Sequence, residues 1–458
     1  MTSSPAPSVA EARVRGVPWE ALRGLAPALE ATLAAVLAGA AADSALARFL
    51  RAHPRLAADA RAAAAEAVLG VALWRRRLRA QLGAAGAAPR VLLAALVRDL
   101  GGREDAEELA SLAPGALPPP RAPPADLADR WSLPDWLADE VRRAAGSDAE
   151  ALADALDAPG PVSLRANLLL TSREALAARL AAEGVETRPG AFAPACLVAT
   201  TPRPNVLGLG AWREGLVEVQ DEGSQLLGEA VGARRGEAVL DACAGAGGKT
   251  LLLAAAVGEE GRIHAADPDA ERLVRLRARA ARAGAAAIVA VHGAAVPDGL
   301  LVDRALVDAP CSGLGALRRG PDLRWRLDPA AFAPLPAAQR AILQRALRHV
   351  RPGGALVYAT CTFRREENED VALAFEQAHP ELERVPPPVH PAAVGEDGFL
   401  RVWPHRHGTD AFFAAAWVRR RARGGPFPTS PVAGPLVRRR GNVRVELVLR
   451  RRAANDES

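Results

Sequence analysis

The chain has 458 residues, 50% of them apolar, which is enough for two or three domains with cores of their own. No run of about 20 apolar residues is free of charge or proline, and the first residues lack an apolar signal core, so neither a membrane span nor a secretory signal is expected. Four widely spaced cysteines without a C-x-x-C pair favour reduced thiols in a cytoplasmic protein over a disulfide framework; they are Cys196, Cys243, Cys311 and Cys361.

Residues 1–125 are predicted to form a helical domain. Two stretches in it, EALRGLAPALEATLAAVL and AEAVLGVALWRRRLRAQL, carry apolar residues three and four positions apart, which is the spacing of one helix face. The proline-rich residues 114–124 interrupt this pattern and are predicted to be a linker. Short helices are expected around RWSLPDWLADEVRRAAG and DAEALADAL, which makes 126–160 a helical linker region.

Strands enter the pattern from residue 161. VSLRANLLL predicts a strand, and SREALAARLAAEG predicts a helix with a serine cap and a glycine stop, so 161–225 is expected to be a small α/β subdomain. In 226–418 strands alternate with helices, which indicates a mostly parallel, Rossmann-like sheet with helices on both faces. The predicted strands are AVLDAC, RIHAAD, AAIVAVHG, ALVDAPC, GALVYATC and FFAAAWV.

The last residues, 419–458, form a basic tail. They hold 11 Arg against 3 acidic residues, or +8, whereas the whole chain has a net charge of only +5. Such a tail suits a polyanion such as nucleic acid, and a solvated end of the chain is the ordinary alternative.

A glycine-rich turn, DACAGAGGKT, joins a predicted strand to a predicted helix at 241–250. Glycines allow a tight turn and the close approach of a ligand, and Asp267 at the end of the next strand can bind ribose hydroxyls, so an adenosine-type cofactor is expected. The turn is not a phosphate-binding G-x-x-x-x-G-K-[ST] loop, because Cys243 stands at the first glycine position.

Lys249 is the only lysine in the chain. A cation at a helix N-terminus opposes the helix dipole, so Lys249 is predicted to meet an anion, either a ligand carboxylate or an RNA phosphate.

Two cysteines follow predicted strand ends. Cys311 comes just after the strand that ends at Asp308, and Cys361 ends the next strand. Because ligands of open α/β sheets bind beyond the carboxyl ends of the strands, these residues are expected to converge with Asp267 on the glycine turn. Cys196, by contrast, is predicted to be a small buried hydrophobe.

Five motifs carry a family resemblance: DACAGAGGKT, DAPCSGLG, RRGPDLRW, YATCTFRREENE and VEVQDEGSQL. Over about 161–418 the chain resembles the Sun/Fmu-type RNA cytosine-C5 methyltransferases of the NOP2/Sun superfamily. The helical region before it is similar in layout to the NusB-like domain of the bacterial 16S ribosomal RNA enzyme. The resemblance implies an all-α N-terminal domain, a class I methyltransferase domain and a small α/β subdomain that binds RNA. It also implies S-adenosylmethionine as cofactor and RNA, most of all 16S rRNA, as partner.

Roles for individual residues follow from the same resemblance. Cys361 is the expected nucleophile toward C6 of cytosine, Cys311 assists release of the methylated RNA, and Asp308 hydrogen-bonds the cytosine ring and lies near the cofactor. A metal-free, monomeric enzyme is expected. The implied cofactor-binding residues are Cys243, Ala244, Gly245, Ala246, Gly247, Gly248, Lys249, Asp267 and Asp308.

Two further motifs have less specific predicted roles. RRGPDLRW is predicted to face RNA or to brace the active-site loop through Arg319, Asp322, Arg324 and Trp325. Glu366, Glu367 and Asn368 are predicted to cap the helix that follows the nucleophile.

The chain also departs from the family pattern in two places. Ala246 replaces a proline of the turn, and Gly293 and Ala294 stand after the third strand, where the family has an acid for the adenine end of the cofactor. Either cofactor binding is weaker in this protein, or another group takes the place of that acid.

Three alternatives stay open from the sequence. The same chemistry could act on transfer RNA or 23S ribosomal RNA. The protein could be an RNA-binding assembly factor whose cofactor pocket has decayed, which the missing third-strand acid favours. It could also be a DNA cytosine methyltransferase, in which the thiol after proline, that of Cys311, attacks; the second cysteine and the RNA-enzyme motifs argue against this.

Overall fold

The computed structural model of the protein describes residues 8–83, 87–202 and 204–421, so most of the predicted basic tail lies outside the described residues. Within the described residues, no helix combines the length and the apolar character needed to cross a membrane.

The first part of the fold is helical. The helices before the first strand are α1 (Val9–Arg15), α2 (Ala26–Leu37), α3 (Ala42–Ala52), α4 (Ala58–Leu82), α5 (Pro89–Ala95), α6 (Ala106–Leu109), α7 (Leu127–Arg130), α8 (Asp135–Ala145) and α9 (Ala149–Asp157).

Helix α4 is the centre of this region. Its residues Val68, Val71, Trp74 and Leu78 are buried in one hydrophobic core, to which α7, α8 and α9 also contribute. The segment 126–160 contains α7, α8 and α9, and it packs into the core of the helices before it. The long helix predicted around α2 is interrupted instead by a turn at Gly24, which has φ of +76°. Only glycine adopts such a conformation without strain, so the helix begins after it.

The small α/β unit comes next in the chain. Its four-stranded sheet has the order β2-β3-β1-β4 and is antiparallel throughout. The predicted strand VSLRANLLL ends after its first half, because 167–170 form a turn in which Asn167 accepts a hydrogen bond from the amide of Leu170. The elements are β1 (Ser163–Ala166), α10 (Arg173–Ala182), β2 (Thr187–Pro189), β3 (Cys196–Ala199), α11 (Gly210–Arg213) and β4 (Val217–Val219).

The third part is a mixed sheet of eight strands, β10-β12-β9-β8-β5-β6-β7, with β11 paired to β12. Strands β5 to β9 are parallel to one another, and β12 runs antiparallel to each of its partners β9, β10 and β11. The elements are α12 (Glu222–Glu229), β5 (Ala238–Asp241), α13 (Gly248–Val257), β6 (Arg262–Ala266), α14 (Ala270–Arg282), β7 (Val289–His292), β8 (Val302–Asp308), α15 (Leu335–His349), β9 (Val350–Thr360), α16 (Glu369–Ala378), β10 (Leu382–Val385), β11 (Leu400–Val402), α17 (Pro404–His407) and β12 (Phe412–Arg419).

Both faces of this sheet are covered by helices. Alternate strand residues point to opposite sides, so Leu306 packs with α12, α13 and α14 while Val307 packs with α15 and α16. All six predicted strands are confirmed, and so is the Rossmann-like architecture. Cys196 has the predicted role of a small hydrophobe, because its side chain is fully buried in the core.

The helical region and the domain built on the eight-stranded sheet share part of a core. Leu314 and Leu317, which follow β8, and Phe332 belong to the same buried cluster as the N-terminal helices. The loop after β8 is therefore held from outside its own sheet.

Candidate active site

A cleft of about 880 Å³ opens at the carboxyl edge of the parallel strands. The chain order reverses between β5 and β8, and such a reversal is where ligands of open α/β sheets bind. The cleft is lined by the glycine turn after β5, by Asp267 after β6, by Asp308 at the end of β8 and by both Cys311 and Cys361. The convergence predicted from the strand ends is therefore present.

The glycine turn is fixed by the residue predicted to bind ribose. Gly245 and Gly247 have φ of +53° and +90°, and Oδ2 of Asp267 accepts a hydrogen bond from the amide of Gly245 at 2.9 Å. A side chain at Gly247 would stand 2.9 Å from Cγ of Leu276, so this position needs glycine for space as well as for its backbone angle. Asp267 thus shapes the turn besides lining the cleft.

Lys249 meets an anion, but that anion belongs to the protein. Its Nζ lies 2.6 Å from Oδ2 of Asp308, and the two side chains are only 12% and 28% exposed. Burial lowers the pKa of Lys249, but the charge and hydrogen bond of Asp308, with smaller contributions from Cys361 and Asp241, together raise the pKa above its ordinary value. Within the protein, the anion beside Lys249 is therefore the carboxylate at the end of β8, and a ligand carboxylate or an RNA phosphate as a further partner stays a prediction.

The two thiols are neighbours. Sγ of Cys311 lies 3.3 Å from Sγ of Cys361, and the amide of Cys361 points to Sγ of Cys311 at 3.4 Å. The hydrogen bond from Cys311 lowers the pKa of Cys361, with a further contribution from Lys249, against the effects of burial and Asp308. The same hydrogen bond, together with burial, raises the pKa of Cys311 well above its ordinary value. Of the two thiols, Cys361 therefore loses its proton more readily.

Asp241, which sequence reasoning did not assign, also lines the cleft. Its Oδ2 accepts a hydrogen bond from Thr250 at 2.7 Å, whereas its buried Oδ1 has no partner among the described residues. Burial raises the pKa of Asp241 to about 6. The signal was available in the sequence, because this acid ends the strand that leads into the glycine turn.

The cap predicted for the helix that follows Cys361 is wrong. Asn368 stands at the N-terminus of α16, but its side chain makes no capping bond and binds Thr360 and Thr362 instead. Glu367 is fully buried, and its Oε2 accepts hydrogen bonds from the amide of Ser312 at 2.9 Å and from Gln339 at 3.0 Å. These residues hold the cysteine loops rather than the helix end.

The RRGPDLRW segment braces the loop after Cys311. Arg319 donates to Oδ2 of Asp221 at 2.7 Å and to Oδ2 of Asp410 at 3.0 Å, so it ties this loop to the end of β4 and to the start of β12. The guanidinium of Arg75 on α4 lies 4.0 Å above the ring of Trp325.

Two more side chains anchor the same segment to the helical region. Oδ2 of Asp322 accepts a hydrogen bond from the amide of Ala42 at 3.0 Å, at the start of α3. Arg324 and Asp157, both fully buried, form an ion pair at 2.6 Å. Arg324 therefore cannot face RNA. Of the two roles predicted for the RRGPDLRW segment, the contacts support bracing of the active-site loop.

Comparison with known proteins identifies the family. A family described as "16S rRNA methyltransferase RsmB/F" matches residues 230–418, and its ferredoxin-like domain matches residues 133–205. The Synechocystis protein called "Probable ribosomal RNA small subunit methyltransferase B" is 36% identical over 299 residues, which are 63% of this chain and 67% of that protein. The chain belongs to the RsmB/F family of 16S rRNA methyltransferases. The family recognised from the motifs is thereby confirmed, and the NusB-like nature of residues 1–125 stays a prediction.

Solved structures agree on the architecture. A methyltransferase homologue from Pyrococcus horikoshii has a TM-score of 0.55 and 26% identity over 64% of this chain and 98% of that chain. The protein PH0851 shares the fold, with a TM-score of 0.68 and 24% identity over 88% of this chain and 99% of that chain. S-adenosylmethionine is the cofactor of this RsmB/F methyltransferase.

The cleft walls fit that cofactor. The turn at Gly245 leaves open space, since nothing stands within 4 Å of where a side chain would be. The unpartnered Oδ1 of Asp241 is an acceptor suited to a cationic group, and S-adenosylmethionine carries an ammonium and a sulfonium. After β7, Ala294 lines the cleft at the position of the missing acid, and Arg345 of α15 lines it nearby.

Proposed function

We propose that this RsmB/F methyltransferase methylates C5 of a cytosine in 16S rRNA through a covalent bond between Sγ of Cys361 and C6 of the base. The contact between the thiols of Cys311 and Cys361 carries the proposal, because it places two thiols whose pKa values shift in opposite directions side by side in a cleft beside the glycine turn. C5 of cytosine is a poor nucleophile, and addition of a thiolate to C6 makes C5 resemble an enamine carbon.

Cys361 supplies the thiolate. Its lowered pKa increases the thiolate fraction at neutral pH, and its half-buried position at the cleft leaves Sγ accessible to a base. S-adenosylmethionine supplies an electrophilic methyl group, and its binding is assigned to the glycine turn with Asp267 and Asp241. Asp308 keeps one carboxylate oxygen, Oδ1, free of Lys249, and this oxygen is proposed to accept a hydrogen bond from the cytosine ring and so to orient it.

Cys311 is assigned to the release step. After methyl transfer the C5 proton passes to solvent water in the open cleft, the electron pair of the C5–H bond forms the C5–C6 double bond, and the S–C6 bond breaks so that Sγ of Cys361 departs as a thiolate. Cys311 retains its proton because its pKa is raised, so its thiol can donate to the departing sulfur of Cys361. The cysteine pair thus divides attack and release between two groups.

The substrate assignment rests on the relatives. Ribosomal RNA small subunit methyltransferases B of Synechocystis and of Sodalis glossinidius are named for the small ribosomal subunit. The cytosine must be unpaired or flipped out of its helix to reach the two thiols. Transfer RNA and 23S ribosomal RNA are the alternative substrates for the same chemistry, and a cytoplasmic, metal-free monomer remains the expectation from the sequence.

The deciding experiment compares wild type, Cys361→Ala and Cys311→Ala on unmodified 16S rRNA with S-adenosylmethionine. The readouts are a denaturation-resistant protein–RNA adduct and 5-methylcytosine. We expect product from wild type, neither adduct nor product from Cys361→Ala, and accumulated adduct from Cys311→Ala.

Other outcomes separate the alternatives. An adduct that depends on Cys311 would reverse the roles and restore the DNA-type mechanism. Product on transfer RNA or 23S rRNA alone would change the substrate and leave the chemistry. No product on any RNA, together with no binding of S-adenosylmethionine, would favour the assembly factor with a decayed pocket.

A further inference from the structure

Glu367 is a fully buried carboxylate in the short turn between β9 and α16. Its Oε2 accepts the amide hydrogen of Ser312, the residue that follows Cys311. Gln339 of α15 donates to the same oxygen and also to the carbonyl of Pro310, which precedes Cys311, both at 3.0 Å. Glu367 and Gln339 therefore hold the Cys311 loop from both sides of the thiol.

The loop that carries Cys361 is attached at the same place. The hydroxyls of Ser312 and Thr362 lie 2.8 Å apart, and Tyr358 of β9 donates its hydroxyl hydrogen to the carbonyl of Glu367. Ser312 thus connects the buried carboxylate to both loops. A single buried acid fixes the relative position of the two thiols.

Fixed charges lie near both thiols. Lys249 and Asp308 both act on Cys361, and the effect of Asp308, which raises the pKa of Cys361, is the larger of the two. Glu367 acts on Cys311 and raises its pKa, and Arg364 reaches Oε1 of Glu367 at 3.4 Å. The charge of Glu367 therefore favours the proton on Cys311.

We propose that Glu367 is a positioning residue that selects the nucleophile, because it holds the Cys311 loop through Ser312 and keeps the proton on Cys311 by its negative charge. The inference rests on the proposed function, since it explains why one thiol of the pair attacks. It adds a residue for which the sequence suggested only helix capping.

The direction of the pKa shift of Cys311 agrees with this geometry. Hydrogen bonding to Cys361, burial and the charge of Cys361 raise the pKa of Cys311, the amide of Cys361 lowers it, and the charge of Glu367 raises it by a smaller amount. Glu367 also contributes to the raised pKa of Tyr358, after burial and Cys311. The charge of Glu367 therefore acts on the Cys311 side of the pair.

The test is the order in which the two thiols react with iodoacetamide, read peptide by peptide by mass spectrometry across pH 6 to 9. Because it needs neither RNA nor methyl transfer, it stays decisive if the proposed function fails. In wild type we expect Cys361 to react first. In Glu367→Gln, which keeps an acceptor oxygen for Ser312 but loses the charge, we expect the ratio of Cys361 to Cys311 labelling to fall roughly tenfold, which corresponds to about one pKa unit.

Glu366→Gln is the matched control, because Glu366 is the neighbouring acid and is 41% exposed. It pairs with Arg143 at 3.2 Å and, like Glu367, with Arg364, at 3.7 Å. We expect the two thiols of Glu366→Gln to react with iodoacetamide in the same ratio as in wild type. In Glu367→Asp, which retains the charge, we expect Cys361 still to react before Cys311. An unchanged ratio in a folded Glu367→Gln would overturn the proposal. If that variant does not fold, wild type decides: labelling of Cys311 before or together with Cys361 would equally overturn it.

Discussion

Nζ of Lys249 lies 2.6 Å from Oδ2 of Asp308, and this contact joins the first turn of α13 to the carboxyl end of β8. The chain has 58 Lys and Arg residues in total, and Lys249 is the single lysine among them. An ammonium is a compact point charge, whereas a guanidinium is a broad planar fork that would need more room beside Asp308 and the thiols. The site therefore explains why this position keeps lysine.

The first prediction concerns Lys249→Gln. Lys249 helps to lower the pKa of Cys361, so its removal raises that pKa, and the thiolate fraction at neutral pH falls. We expect the rate of methylation at pH 7 to fall by roughly tenfold or more, and to recover partly as the pH rises. The measurement is the pH–rate profile under single-turnover conditions.

Lys249→Arg provides the comparison for that profile. It retains the charge and loses the compact shape, so we expect the pH midpoint to stay near that of wild type while the maximal rate falls. Coincident midpoints for the Gln and Arg variants would show that the charge of Lys249 does not act on Cys361.

The second prediction concerns Asp241. Its raised pKa of about 6 means that the carboxyl takes up a proton as the pH falls through 6. Because the unpartnered oxygen is assigned to a cationic group of the cofactor, affinity for S-adenosylmethionine should be constant above pH 7 and fall below pH 6. Asp241→Asn should weaken binding by roughly tenfold or more and remove this pH dependence. Calorimetric titration from pH 5 to 8 measures both, and a variant that keeps the wild-type pH dependence would contradict the assignment.

The sequence predicted those parts of the site that follow from local order along the chain. Strands of a parallel sheet end at one edge, so Asp267, Asp308, Cys311 and Cys361 could be placed together from the alternation of strands and helices alone. The glycine turn was predictable for the same reason, because positive φ angles call for glycine.

The remaining features depend on contacts between residues that are far apart in the chain. The partner of Lys249 lies 59 residues away, and the contact from Glu367 to Ser312 spans 55 residues. A carboxylate before a helix is ordinarily a cap, so local rules gave Glu367 the wrong role. Arg324 looked like an RNA contact for a similar reason, since nothing in its neighbourhood of the sequence shows that Asp157 neutralises it.

The third prediction concerns that buried pair. Asp157→Ala leaves the guanidinium of Arg324 buried without its acid, so we expect the free energy of unfolding to fall by about 3–5 kcal/mol. Burial outweighs the pull of Arg324 and raises the pKa of Asp157 to about 7, so the folded state holds a proton that the unfolded state releases above its ordinary pKa near 4. The contribution of Asp157 to stability therefore declines from about pH 4 to about pH 7.

A double variant separates the pair from its surroundings. Asp157→Leu with Arg324→Met replaces both charges with apolar groups of similar size, and we expect it to recover most of the lost stability. Urea unfolding followed by tryptophan fluorescence reports on this region, because Arg324 also approaches the carbonyl of Trp131. A double variant no more stable than Asp157→Ala would show that the hydrogen bonds of Arg324, rather than its charge balance, hold the segment.

The fourth prediction concerns the missing acid after β7. Ala294 is exposed and lines the main cleft beside Asp267, so its methyl group occupies a position from which a carboxylate could reach the base of the cofactor. Ala294→Asp should tighten binding of S-adenosylmethionine by roughly three- to tenfold, because the new carboxylate accepts a hydrogen bond from the adenine amino group.

Ala295→Asp is the matched control for this prediction. It adds the same charge one residue later, where the side chain lines only the neighbouring cavity of about 80 Å³. We expect Ala295→Asp to leave the affinity for S-adenosylmethionine unchanged. A cofactor analogue that carries an oxygen in place of the adenine amino group should gain nothing from Ala294→Asp, since the carboxylate would then face an acceptor. Equal gains for the two variants, or for the two ligands, would mean that added negative charge near the cleft, and not recognition of adenine, is responsible.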